Sequence, residues 1–419
     1  MGKRGSKNRR IENNTRRDFL LKTVAVAAGL PTLLSARAQG ANDRPGIGYI
    51  GAGGRAGAHM AIGKKLQQEG RCELVAVCDI YRPRVEAAAR STGGKIYRRH
   101  QDLLADPNVD IVCIATPDRH HATQAIDAIR AGKDVYCEKP LTHWSQMELA
   151  KQVGIEAEKH GRIVQVGTQY VADDAYAQVR KLIQEGVVGK IVHVQAGYFR
   201  RGDWGERMVI PDAHAKPGPD LDWEAFLGDA PKVPFSVSRF FQWRLYWDYA
   251  GGPATDLLVH SYTPVFCMLE LGFPERVMGG GGTFQYDREV PDQCNIIADY
   301  AGGPSVVLMN SLSNFTGIET MLRGTEGIII FKSIGERDNK GVRIVPVAKG
   351  AKEIFIPWNG AGDTSRLWTN LLDCVKSRQR PYSPIDIAIR VQAPLNMGIL
   401  SHRESKVARF DAKTQQIVL

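Results

Sequence analysis

Cysteine is scarce and unpatterned in this chain. Seven occur in 419 residues, at positions 72, 78, 113, 137, 267, 294 and 374. An odd number with no Cys-x-x-Cys spacing excludes a disulfide framework and a zinc knuckle. Several sit in apolar runs such as Ile111-Val112-Cys113-Ile114 and read as small core residues. Internal repeats are lacking, and so is any low-complexity segment beyond the N-terminal stretch. No segment after that stretch is apolar enough to serve as a membrane-spanning helix. The body of the protein also lacks a strong charge of either sign. Of the net +10, residues 1–38 supply +7, from nine basic and two acidic side chains. The remaining +3 gives no reason to expect a nucleic-acid partner.

What the first residues do contain is ordered. Arg16-Arg17 precedes an uncharged stretch from Thr23 to Leu34, and Ala36-Arg37-Ala38 follows. Basic, apolar and small-residue regions in that order read as a twin-arginine signal peptide over 1–38, cleaved after Ala38. The expectation is an exported, soluble, periplasmic protein that uses the twin-arginine export machinery. The rest has ordinary globular composition, 43% apolar and 24% charged, and is long enough for two domains.

From Pro45, short apolar runs alternate with amphipathic stretches. Strands are expected at Gly46–Ile50, Leu74–Cys78, Val109–Ala115, Asp134–Cys137 and Ile163–Val166. Helices are expected at Arg55–Gln68, Arg82–Arg90, Ala122–Arg130 and Trp144–Lys159. Continuous Val/Ile/Cys strands between helices imply a doubly wound parallel sheet, an α/β domain over residues 45–167. After Gly167 the pattern changes. A helix at Ala175–Glu185 and a longer strand at Lys190–Phe199 precede a loop-like region to Phe241. One helix is then expected over Pro253–Leu271. Five strand-like runs between Glu275 and Lys332 follow, joined by short turns, and helices at Ser365–Ser377 and Ile385–Leu400 close the pattern. Residues 168–419 therefore read as an α+β domain with a large, mostly antiparallel open sheet.

Gly51-Ala52-Gly53-Gly54-Arg55-Ala56 lies between the first strand and the first helix and fits G-x-G-x-x-G/A. Such a turn lets backbone approach a pyrophosphate at a helix N-terminus. Asp79 ends the second strand at the distance where a carboxylate accepts from ribose hydroxyls and repels a 2′-phosphate. NAD is therefore favoured over NADP, although Arg82 and Arg84 lie nearby.

Three further motifs complete a resemblance. Ala115-Thr116-Pro117-Asp118-Arg119-His120, Glu138-Lys139-Pro140, and Gly251-Gly252-Pro253-Ala254-Thr255-Asp256 followed by His260 resemble the glucose–fructose oxidoreductase / inositol dehydrogenase family (Gfo/Idh/MocA). Thr325-Glu326-Gly327 and the segment from Trp368 to Arg378 resemble its later parts. The resemblance spans roughly 46–410. It implies a Rossmann domain, an open sheet that packs into homodimers or homotetramers, and hydride transfer between a nicotinamide and a sugar, sugar acid or cyclic polyol. It makes Lys139, Asp256 and His260 the catalytic groups. Gly51, Gly53, Gly54, Arg55, Asp79, Thr116, Pro117, His120, Glu138 and Lys139 are the expected cofactor contacts.

The residues support those roles chemically. Lys139 ends a strand where an ammonium can stabilise alkoxide charge. Asp256 and His260, four apart on the expected helix, would share one face, and a histidine there can take the proton of an alcohol losing hydride. No third ligand at suitable spacing turns that pair into a metal site. The chain departs from many members at Thr263, where they carry a further acid. On the substrate side, Tyr170, Arg200, Trp243 and Arg244 are the candidates, with Arg201, Trp204 and His214 beside them. His121 joins His120 as a second histidine at the nucleotide crevice. Two other functions remain open: a glycosidase or lyase acting by transient oxidation on tightly held NAD, and a non-catalytic sugar- or nucleotide-binding protein.

Overall fold

The computed structural model describes residues 44–202, 209–332, 340–360 and 362–419. The expected signal peptide and Trp204 lie outside these residues. The first sheet is built from β1 (Gly46–Ile50), β2 (Glu73–Cys78), β3 (Lys95–Tyr97), β4 (Ile111–Ile114), β5 (Asp134–Cys137) and β6 (Val164–Val166). Its order is β3-β2-β1-β4-β5-β6, and all its pairings are parallel. The order reverses between β1 and β4, which opens a crevice at the carboxyl ends of those two strands. β1 and β4 are buried at every position, as strands covered on both faces must be.

The covering helices are α1 (Gly54–Gln68), α2 (Arg82–Thr92), α3 (His100–Leu104), α4 (Asp118–Arg130) and α5 (Met147–His160). β3 and α3 were not expected from the sequence. β3 is a three-residue edge strand with exposed Lys95 and Ile96, too short and too polar to give a period-2 signal.

The second half opens with α6 (Ala175–Gln184) and β7 (Ile191–Arg201). Two short helices, α7 (Trp223–Leu227) and α8 (Val237–Phe241), interrupt the region expected to be loop. The helix expected over Pro253–Leu271 is two helices, α9 (Pro253–Asp256) and α10 (Leu258–Leu269). Then come β8 (Arg276–Gly282), β9 (Gln293–Asp299), β10 (Ser305–Ser311), β11 (Ser313–Asn314), β12 (Thr320–Gly324) and β13 (Gly327–Phe331). β14 (Gly341–Pro346) and β15 (Ile354–Pro357) extend the sheet. After α11 (Thr364–Ser377) and α12 (Ile385–Glu404), the hairpin β16 (Ala408–Asp411) and β17 (Gln416–Val418) completes it.

The result is an 11-stranded sheet in which β7 pairs in parallel with β10 and the other pairings are antiparallel. One face packs on α10. Val194 and Ala196 of β7 join Leu258, Tyr262 and Val265 in one apolar cluster, and Ser261 Oγ donates to the Gly197 carbonyl at 2.8 Å. Helices α11 and α12 return to the first sheet. Leu367, Trp368, Leu371 and Leu372 pack with α1 and β1, while Ala388 and Ala393 pack with α4 and α5. The end of the chain thereby fixes how the two sheets meet.

Candidate active site

The glycine loop is shaped by contact with β4. Gly51 has φ +87°, and a Cβ there would lie 2.8 Å from the Ala115 carbonyl oxygen, so only glycine fits. At Gly53 a Cβ would meet nothing within 4 Å. This is the open side of the loop, and α1 begins there without a side-chain cap. Its first amides therefore face a cleft of about 690 Å³. Open glycine backbone at an uncapped helix start fits a dinucleotide's pyrophosphate.

All ten expected cofactor contacts line this cleft. Asp79 also organises the loop: its carboxylate accepts from the Ala52 amide at 2.7 Å and the Tyr81 amide at 2.8 Å. The arginines beside it are already engaged. Arg82 pairs with Asp220 at 2.9 Å, and the Arg84 guanidinium lies 5.3 and 5.1 Å from the Phe240 and Phe241 ring centres. That leaves the Asp79 end suited to a free ribose rather than a 2′-phosphate.

The opposite wall comes from the excursion between β7 and α9, which brings the expected Trp243 and Arg244 to the cleft together with Phe226, Phe240 and Phe241, which were not foreseen. Tyr81 bridges Leu221 in a short antiparallel contact. The Arg82 amide donates to Asp220 O at 2.8 Å, the Asp222 amide to Ile80 O at 3.2 Å, and Tyr81 Oη to Asp212 at 2.5 Å. Arg119 pairs with Asp229 at 2.8 Å. His120 is held by the same wall, its Nε2 lying 2.8 Å from Phe226 O. His121 lies between the Thr116 and Pro140 carbonyls, at 2.8 and 2.7 Å.

Glu138 anchors a buried relay. Arg55 Nε and His59 Nε2 both lie 2.8 Å from Glu138 Oε1. Trp368 Nε1 donates to His59 Nδ1 at 2.9 Å. Because indole can only donate, Nδ1 must accept, and the ring proton sits on Nε2, facing Glu138. Tyr136 stacks on Trp368 with centroids 4.8 Å apart. Burial alone would raise the Glu138 pKa, but Arg55 and the His59 hydrogen bond outweigh it and hold the carboxyl well below its usual range.

At the chemical end, Lys139 Nζ donates to Asp256 Oδ1 at 2.5 Å and to the Asp256 carbonyl at 3.0 Å. The break between α9 and α10 makes the second bond possible. The His260 amide bonds Leu257 O at 3.0 Å rather than the Asp256 oxygen it would take in a continuous helix. The single helix expected to carry Asp256 and His260 is thus corrected to two; the two groups still lie close enough to act on each other, and the Asp256 carboxylate takes its hydrogen bond from Lys139. Arg244 Nε lies 3.6 Å from the same Asp256 oxygen, and its guanidinium lies 4.0 Å from the Trp243 ring centre. Against the cost of burial, Lys139 and then Arg244 hold the Asp256 carboxyl below its usual range.

His260 is 6% exposed. Burial, then Lys139, pushes its pKa down to about 3, and its Nδ1 has no hydrogen-bond partner among the described residues. Tyr170 meets the ring edge-on at 5.4 Å, and Tyr198 lies 6.2 Å away. Tyr198, missed from the sequence, sits on the inner face of β7. Thr263, at the position where the resemblance led to the expectation of an acid, is buried and donates to its own helix at Val259 O, 2.6 Å away. Arg201 and His214 are exposed.

Several buried histidines are held neutral. Burial lowers His260 and His143 to about 3 and His120 to about 4, and it lowers His59 as well. In the window below 6.5 the unfolded chain binds protons that the folded chain does not, so stability rises with pH there and is lost as pH falls. The melting temperature should drop steadily between about pH 6.5 and 4, with unfolding near pH 5 taking up two or more protons. Calorimetry across that range is the check, and a flat profile would contradict it.

A Rossmann sheet with an open glycine loop, joined to a large sheet whose helices bring Asp256 to Lys139, defines a nicotinamide-nucleotide oxidoreductase architecture. Residues 46–168 match the oxidoreductase family profile described as an NAD-binding Rossmann fold, and residues 172–419 match its C-terminal alpha/beta domain. The chain belongs to the Gfo/Idh/MocA oxidoreductase family. It is 32% identical to an inositol 2-dehydrogenase of Rubrobacter xylanophilus over 165 residues, covering 39% of this chain and 46% of that protein. It is 27% identical to a levoglucosan dehydrogenase of Pseudarthrobacter phenanthrenivorans over 255 residues, covering 55% and 57%. The matched stretch thus spans about half the length of these curated relatives. A levoglucosan dehydrogenase solved with NADH and L-sorbose superposes with a TM-score of 0.68 at 18% identity, over 88% of this chain and 99% of that one. A Bordetella pertussis WlbA dehydrogenase solved with NADH and UDP-GlcNAcA gives 0.65 at 19%, over 88% and 99%. Both likenesses speak to the fold.

Proposed function

We propose that the protein is an NAD-dependent dehydrogenase that removes hydride from a carbinol carbon of a sugar, sugar acid or cyclic polyol. The observation that carries this reading is Lys139, which lines the cleft and pairs with the buried Asp256, both acting on His260. The glycine loop and α1 would hold the pyrophosphate, and Asp79 the adenosine ribose. NAD, when bound, accepts the hydride. Lys139 hydrogen-bonds the substrate hydroxyl and stabilises the negative charge that grows on its oxygen. Asp256 fixes the ammonium and, with Arg244, sets the field around it. His260, neutral at physiological pH, offers an acceptor to the hydroxyl proton, while Tyr170 and Trp243 present aromatic faces to the ring. NADH formation across a panel of sugars, sugar acids and polyols tests this. Failure with every class would sink it.

A second reading, a glycosidase or lyase that oxidises its substrate only transiently, draws on the excursion latched over the cleft, which would hold the nucleotide between turnovers. It predicts release of a leaving group with no net NADH.

A homodimer or homotetramer through the open face of the large sheet is part of the same reading. Met278, Ile297, Val307, Gln195 and Met321 stand side by side across five strands, and Met278 and Ile297 are 41% and 38% exposed. Light scattering should give a multiple of the chain mass, and a monomer would contradict this. Among the described residues no helix is long and apolar enough to cross a membrane. Export by the twin-arginine route predicts a mature N-terminus at Gln39. A secreted form that still begins at Met1 would contradict it.

A further inference from the structure

We propose that the substrate of this site carries a carboxylate and that Arg200 binds it. The inference rests on the dehydrogenase reading and adds a substrate class to it. Strand β7 carries the argument. Along it, Val194 and Ala196 are buried in the core beneath α10. Side chains two apart share a face, so Tyr198 and Arg200 continue that face past the edge of the core and into the site. The Tyr198 ring lies 6.2 Å from His260, and the Arg200 guanidinium lies 5.2 Å from the Tyr198 ring centre. Two strand residues advance roughly 6.6 Å, a distance comparable to a sugar ring. A ring with its carbinol at Lys139 and His260 would present its far substituent to Arg200.

The charges around His260 single out this arginine. Lys139 is paired with Asp256 at 2.5 Å, and Arg55 with Glu138 at 2.8 Å. Arg244 shares the Asp256 carboxylate at 3.6 Å. Arg200 is half-buried and close enough to act on Tyr170, yet it has neither a carboxylate nor a hydrogen-bond acceptor among the described residues. A guanidinium laid on an aromatic face keeps its fork of donors free, and that fork matches a carboxylate in two parallel bonds. A neutral sugar would leave this cation partly desolvated and unpaired.

The test is calorimetric titration of the NADH-loaded protein with three matched pairs: D-glucuronate and D-glucose, D-galacturonate and D-galactose, D-gluconate and D-sorbitol. In at least one pair the acid should bind about 10- to 100-fold more tightly. Arg200→Met should erase that preference while leaving NADH affinity and the neutral partner's affinity in place, and Arg200→Lys should restore part of it. The proposal is overturned if no pair shows a preference for the acid, or if the preference survives in Arg200→Met. The dehydrogenase reading fails separately, if an acid binds with this preference but neither it nor any neutral sugar yields NADH.

Discussion

Lys139→Met should lower kcat/KM for sugar oxidation by about 100- to 10,000-fold, the range spanned by loss of a positioned acid–base or oxyanion-stabilising group. Methionine keeps the length of the stem and removes the ammonium. Two consequences follow from the geometry. The substrate oxygen loses its cationic partner, and the buried Asp256 carboxylate loses the donor 2.5 Å away. With Arg244 Nε still 3.6 Å from it, Asp256 keeps one cation, so the fold should survive. NAD affinity should change far less than turnover, because the glycine loop and Asp79 are untouched. Steady-state kinetics with parallel NAD titration separates the two. Turnover within a few-fold of wild type would remove Lys139 from the chemistry.

Glu138→Ala should be among the most destabilising single changes in the first domain, by about 3 kcal/mol, because removing one partner of a buried ion pair leaves the other uncompensated. Arg55 and His59 both lose their acceptor, and the effect passes to Trp368, whose indole N–H fixes the His59 tautomer. Trp368→Phe should cost less, since the ring can still stack on Tyr136. The two changes should combine to less than the sum of their separate effects, because they act on one hydrogen-bonded chain. Denaturant melts of the two single variants and the double variant measure this. Strict additivity would contradict a shared network.

The parts of the site that the sequence revealed are those where chemistry is local. Gly51 to Arg55 and Glu138-Lys139 follow strands of unbroken apolar character, and each strand end falls at the crevice because the sheet order places it there. The relay could not be read in the same way: His59 and Trp368 lie 309 positions apart and meet only because α11 returns to the first sheet. The break at Leu257 was hidden because helix-compatible residues flank it on both sides, Ala254 to Asp256 before it and Leu258 to His260 after it. What opens the helix is tertiary, the Lys139 ammonium taking the Asp256 carbonyl. Tyr198 was concealed inside a strand, although the alternation Val194, Ala196, Tyr198, Arg200 already placed it on the inner face. Strands β14 to β17 are only three to six residues long, too short for a period-2 pattern to stand out from loop.

The most direct test of the central claim is the ultraviolet absorbance of NADH when wild-type protein and Lys139→Met are each given NAD and the same panel of neutral sugars, sugar acids and polyols. The account predicts that NADH accumulates in proportion to the substrate oxidised for at least one class, and that Lys139→Met, with its NAD affinity largely retained, loses nearly all of that rate. Absence of NADH across the whole panel, or equal rates in the two proteins, would contradict it.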